Sequence, residues 1–280
     1  MERALVLAAM GIDYFVQRTW WGWCLLVEEG AENEARLQLA LYEQEQHAPP
    51  SLPDTATTRG GIELGVFAYF TVLMSMFYLQ GNYGFGIDWT SAGRVHVAAI
   101  QDGEYWRTIT ALTLHRNFWH LLGNLAFGAI FGVMLSRQLG PGLAWLAILV
   151  AGACGNGINV LIQRPEHMSI GTSTAVFAAL GLLAACSFIF GRIYRDTWAR
   201  RWAPIVGGLW VLAWLGTGDA QTDVVAHLTG FIAGLILGTL LGWASRLRRG
   251  GPVMQWAAGL IVFLGVAGCW GWAILNRTPI

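Results

Sequence analysis

Beyond residue 61 the chain is little more than a succession of apolar runs, at 62–80, 118–136, 142–162, 173–191, 203–217, 225–243 and 254–275. A helix needs about 20 such residues to cross the hydrocarbon core of a bilayer, so the runs predict membrane-spanning helices. Composition agrees: 55% of the 280 residues are apolar and 12% are charged, too few charges to coat a soluble globule of this size. The expected fold class is an all-α polytopic membrane protein. Basic and acidic residues balance at 17 each, which leaves no cationic surplus for nucleic acid. Cys24, Cys154, Cys186 and Cys269 are scattered without CxxC or zinc spacing, so no metal site is expected.

Residues 1–46 read differently. Glu2–Met10 has helical character with Gly11 placed to end it, and Asp13–Arg18 and Trp21–Val27 look like strands. Ala31–Gln46 is a polar helix with Ala35, Leu39 and Tyr42 on one face. Such a small α+β soluble module has little core of its own. Two readings stay open: it self-associates or packs on a partner, or it is an appendage of no catalytic consequence. The Pro- and Ser/Thr-rich stretch 47–61 is a linker. Residues 62–250 form the membrane core, and 251–280 add one span and a tail.

The mixed stretch 81–114 carries Asp88, Arg94, Asp102 and Arg107 among many aromatics. It is expected at the headgroup level, which Trp and Tyr favour. Orientation follows from arginine. With the N-terminus inside, the inner loops hold Arg137, then Arg192, Arg195, Arg200 and Arg201, then Arg246, Arg248 and Arg249. The loop 216–224 has Asp219 and Asp223 and no Arg. That positive-inside pattern, with no signal peptide at the start, puts the N-terminus in the cytoplasm.

Three spans carry stripes of unusual residues. His120, Asn124, Gly128 and Gly132 recur every four residues on the second span, and Ser173, Phe177, Gly181 and Ala185 do so on the fourth. On the sixth, His227 heads Gly230, Gly234, Gly238 and Gly242. One small-residue stripe means close helix packing. Three of them, each with its polar residue toward the outer end of the span, put a serine, two histidines and an asparagine at one depth. Polar groups there are costly and mark function.

These groups suffice for acyl transfer. Ser173 supplies a nucleophile and His227 the base that takes its proton. The side chains of His120 and Asn124, with the Ser173 backbone N–H at a helix N-terminus, offer donors for an oxyanion. Gly230 and Gly234 let the sixth span come close to the fourth, and Phe177 lies one turn below Ser173 to stack on His227. No acidic third member stands at this depth, so a dyad is expected.

These residues resemble the rhomboid family of intramembrane serine proteases, over about 62–250. His115-Arg-Asn-Phe-Trp-His120-Leu-Leu-Gly-Asn124 is similar to the family's HxxxxHxxxN, and Gly171-Thr172-Ser173 to the start of its GxSG. Ala226-His227-Leu-Thr-Gly230-Phe-Ile-Ala-Gly234 is similar to AHxxGxxxG, and Tyr105-Trp106-Arg107 to the Trp-Arg element after the first span. The resemblance implies a helical bundle of six spans plus one. It makes Ser173 the nucleophile, His227 the base, His120 and Asn124 the oxyanion site, and His115 a structural residue. It implies no cofactor, transmembrane-helix proteins as substrates, and a plasma (inner) membrane location with the active site opening outward. The fifth span and the loop 216–224 would be the substrate gate and cap. Two positions depart from the pattern: Thr174 replaces a Gly, and Phe177 stands where Tyr is common.

Rival chemistries lack their residues. A metalloprotease needs HExxH, and Glu166-His167 is not that motif. Gly216-Thr217-Gly218-Asp219 spells GxGD, yet that chemistry needs two membrane-embedded aspartates, and here every Asp is expected in a loop, a span flank or the soluble module. A rhomboid-like escort that binds spans without cutting is the alternative, although such proteins typically lose the serine or the histidine. A transporter is a third reading, with no inverted repeat to support it.

Overall fold

In the computed structural model, which describes residues 2–20, 22–47, 59–193, 206, 223–244 and 251–276, the chain falls into two units, Met1–Asp54 and Thr55–Ile280. The first runs α1 (Glu2–Ala9), β1 (Tyr14–Thr19), β2 (Gly22–Val27) and α2 (Glu32–His47). Gly11, at φ 70°, turns the chain out of α1, a backbone angle that glycine adopts without strain. The strands pair antiparallel, Tyr14 opposite Val27 and Thr19 opposite Gly22. Tyr14, Leu25 and Val27 thereby meet Leu7, Ile12 and Ala35, a core of three buried residues. The helix–strand–strand–helix order matches the sequence expectation.

The second unit is helical. α3 (Arg59–Gly81) leads into short elements: α4 (Trp89–Gly93), β3 (Val95–His96), α5 (Val97–Gln101) and α6 (Arg107–Thr110). Then come α7 (Phe118–Leu139), α8 (Pro141–Ile162), β4 (Met168–Ser169), α9 (Ser173–Ile193), α10 (Val224–Trp243) and α11 (Pro252–Leu275). Pro141 and Pro252 begin their helices at the first turn, where a missing N–H costs nothing. Asn117 and Asp223 cap α7 and α10 by accepting from His120 N–H and Ala226 N–H.

Among the described residues, five helices are long and apolar enough to cross a membrane, and α9 is apolar over Ser173–Ile189. The chain is a multi-pass membrane protein. Helix α3 begins three residues before the expected span, inside the stretch read as linker. The span expected at 203–217 lies outside the described residues.

Residues 174–186 of α9 are buried on every side, the signature of a central helix. Around it, Leu135 and Leu139 of α7 and Ala144, Ala147, Ile148 and Ala151 of α8 complete one core with Ala175, Ala178, Ala179 and Leu182. Helix α10 packs on the remaining side of α9, backbone to backbone. A Cβ at Gly230 would overlap the Thr174 carbonyl, one at Gly234 the Ala178 carbonyl, and one at Gly181 the Phe231 carbonyl. The small-residue stripes are a contact seam. On α7 the stripe works differently: Gly128 makes room for the Tyr69 hydroxyl and Gly132 for the Trp145 ring.

The stretch 81–114 is more than an interfacial ribbon. It folds into a packed layer in which Trp89, Val95, Val97, Ile100, Ala111 and Leu112 are buried. β3 pairs antiparallel with β4, Val95 opposite Ser169, which ties this layer to the approach to Ser173.

Candidate active site

Ser173 is the first residue of α9, and the residues just ahead of it are tied down one by one. Gly171 N–H donates to the Ala111 carbonyl at 3.0 Å. The Thr172 hydroxyl donates to the Leu112 carbonyl at 2.5 Å and lies 3.2 Å from His115 Nε2. Gly171 sits at φ 140°, and a Cβ there would come within 2.6 Å of the His120 ring. That position therefore excludes side chains on two grounds.

Across the seam, His227 Nε2 lies 2.8 Å from Ser173 Oγ. His227 is in the first turn of α10, so the position of that helix end decides the contact. Its ring rests on Phe177, with centroids 4.5 Å apart at 34°. Gly230 and Gly234 permit the approach, as their spacing predicts.

Helix α7 brings His120 and Asn124 to the same place. Both line a cavity of about 680 Å³ together with Ser173, His227, Phe177 and Gly171. Asn124 is buried, and its Nδ2 has no hydrogen-bond partner among the described residues, whereas its carbonyl accepts from the Tyr69 hydroxyl at 2.7 Å. A buried donor without an acceptor is expensive to keep and marks a place where an anion can be received.

The remaining expected residues stand behind this layer. His115 is 1% exposed, its ring 5.2 Å from that of His120. Burial, and then the neighbouring charge of His120, push it down to about 3, so it is a neutral ring. Arg107 pairs with Glu104 and donates to the carbonyls of Ser91 and Arg94 at 2.8 and 3.1 Å. Trp106 sits 6.4 Å from Trp272. These two residues hold the 81–114 layer and do not line the cavity. Thr174 turns its methyl into the seam, where Cβ atoms at Gly155 and Gly230 would lie 2.9 and 3.0 Å from it.

The structure adds a polar hub that the sequence reading missed. The Asp223 carboxylate caps α10 through Ala226 N–H at 2.9 Å. It also binds His167 Nε2 at 2.7 Å and accepts from Asn159 Nδ2 at 2.9 Å. Burial works to raise its pKa, but the Ala226 N–H and His167 outweigh that and hold it below the usual carboxylate range. Asn156, one turn from Asn159, donates to the Thr108 carbonyl at 2.8 Å. A signal was present: two asparagines within an apolar span, and an aspartate in the cap slot four residues before His227. Among the described residues no cluster of His, Cys, Asp or Glu could hold a metal.

Comparison with known proteins converges on the same helices. RHOMBOID-like protein 7 of Arabidopsis thaliana is 33% identical over 144 residues, 51% of this chain and 44% of that one. Rhomboid-like protease 3 of Toxoplasma gondii is 29% identical over 146 residues, 52% of this chain and 55% of its own length. RHOMBOID-like protein 4 of Arabidopsis thaliana is 31% identical over 161 residues, 55% and 39% of the two chains. The chain thus spans about half the length of the curated relatives it matches. The model of the rhomboid domain matches residues 102–244, half of the chain, from the layer that braces Ser173 through the end of the helix that carries His227, and the chain therefore belongs to the rhomboid family.

Proposed function

We propose that this protein is an intramembrane serine endopeptidase that hydrolyses peptide bonds in or near transmembrane helices of other membrane proteins. The 2.8 Å contact between His227 Nε2 and Ser173 Oγ carries the reading, because a nucleophile and its base must be within hydrogen-bond reach.

In the first half-reaction Ser173 Oγ attacks the scissile carbonyl while His227 Nε2 takes its proton. The carbonyl oxygen becomes an oxyanion facing the Asn124 amide, the His120 ring and the Ser173 N–H. His227 then gives the proton to the departing amine, the C–N bond breaks, and an ester on Ser173 remains. Water, losing a proton to His227, attacks that ester. The new carboxyl product leaves and Ser173 recovers its hydrogen. Phe177 supports the ring of His227 throughout.

Arginine placement supports a cytoplasmic N-terminus and a site opening to the outer side of a plasma membrane, with lipid and transmembrane-helix proteins as partners. Cysteine-accessibility mapping of both faces tests that orientation. Chemistry is tested by a fluorophosphonate probe and a library of transmembrane reporters in bilayers. Wild-type protein is expected to label and cleave, and Ser173→Ala or His227→Ala to do neither. A wild-type chain that neither labels nor cleaves, yet retains reporter spans, would establish the escort reading instead.

A further inference from the structure

Helix α11 lies beyond the matched rhomboid region, yet it reaches the support of the nucleophile. Residues 111–115 form that support: Ala111 and Leu112 accept from Gly171 and Thr172, and His115 contacts the Thr172 hydroxyl. In the middle of the same segment, the Thr113 hydroxyl accepts from Trp270 Nε1 at 3.1 Å and donates onward to the Thr110 carbonyl at 2.8 Å. One hydroxyl can do both, having one hydrogen and two lone pairs.

The placement of Trp270 is over-determined. Its ring meets Trp89 edge to face, with centroids 5.1 Å apart, in a cluster with Met76, Ile87, Leu114 and Ala273. A Cβ at Gly93 would run into it. Toward the other end of α11, Gln255 Nε2 donates to the Leu139 carbonyl at 3.0 Å and its Oε1 accepts from Leu143 N–H at 3.1 Å. The helix is thus pinned at both ends, and its axial position is set.

We propose that α11 is a positioning strut for the nucleophile, with Trp270 acting through Thr113 to hold residues 111–115 under Gly171–Ser173. The proposal rests on the serine–histidine reading above. Trp270 and Thr113 are positioning residues, and neither lines the cavity.

The test uses the full chain in lipid nanodiscs, comparing wild type with Trp270→Phe, Thr113→Val, Thr113→Ser and the Trp270→Phe/Thr113→Val pair. Readouts are fluorophosphonate labelling of Ser173, reporter kcat and KM, melting temperature, and hydrogen exchange of peptides covering 168–173. Trp270→Phe and Thr113→Val are each expected to slow labelling about tenfold, the scale of a sub-ångström misplacement, in kcat and not KM. Exchange at 168–173 is expected to quicken while Thr113→Ser stays at the wild-type rate. The pair is expected to be no slower than either single change, because both cut one link. Wild-type labelling and exchange in both single variants would overturn the strut and leave the dyad standing. So would a loss matched by faster exchange throughout the protein, or slower labelling with unchanged exchange at 168–173. If wild-type protein proves inert while Trp270→Phe quickens exchange at 168–173, the protease reading fails and the strut survives.

Discussion

The Asp223 carboxylate holds the His167 imidazole at 2.7 Å while capping the helix on which His227 stands one turn further on. One side chain thus fastens the helix of His227 to the loop that leads into Ser173, and through Asn159 to α8 as well. Replacing Asp223 with Ala removes the cap and leaves buried donors without an acceptor. The cap alone is worth about 1 kcal/mol, and each stranded donor about 1–3 kcal/mol. Calorimetry is expected to show a clear loss of melting temperature in Asp223→Ala and a smaller one in Asp223→Asn, which can still accept the Ala226 N–H.

Asn124→Ala should separate activity from stability. The Asn124 side chain keeps a buried N–H without a protein acceptor among the described residues, so its removal costs the fold little. On the proposed chemistry it removes one oxyanion donor, worth about 10²–10³ in rate. Reporter kcat is expected to collapse while the melting temperature holds.

The glycine seam predicts a sharp contrast between two consecutive helices, α10 and α11. Gly234→Ala drives a methyl into the Ala178 carbonyl and parts α10 from α9, with an overpacking cost of about 1–3 kcal/mol. Gly259 on α11 has nothing within 4 Å of where a methyl would sit, so Gly259→Ala is expected to be silent. Labelling rates and melting temperatures of the two variants, measured side by side, check this.

Acid is expected to weaken the fold in two stages. His115 resists protonation when folded, its pKa pushed down to about 3 by burial and the adjacent His120, whereas the unfolded chain binds that proton near pH 6.5. Between those values the unfolded state holds more protons, so stability drops as pH falls, by up to about 1.4 kcal/mol per pH unit. Asp223, held below its ordinary range, acts with the same sign at lower pH: its contribution is present above the carboxylate range and is lost as pH falls through its folded value. Melting temperature should be level above about pH 6.5 and decline below it, with His115→Gln flattening the upper part of the decline.

Much of the site was legible because it is built from helices. A four-residue recurrence carries Ser173, His227, His120 and Asn124 to one face each, and the glycine stripes announced the seam between α9 and α10. The 81–114 layer was not legible. Its elements are only two to five residues long, Tyr83 and Phe85 take positive φ values of 49° and 60°, and Arg107 holds the layer through carbonyls that no pattern advertises. Asn156 and Asn159 escaped because their partners, Thr108 and Asp223, lie 48 and 64 residues away. Thr174, one of the two departures from the family pattern, packs its methyl in the seam against Gly155 and Gly230 and also lines the cavity.

Ser173 and His227 are 54 residues apart and sit on separate helices. During synthesis Ser173 therefore emerges well before His227. A nascent chain that stops at α9 lacks His227, and the contact with Ser173 forms only once α10 meets α9 along the seam. On the proposed chemistry, the capacity to cut arrives only with α10, and a chain that stops at α9 is harmless to the membrane proteins maturing beside it.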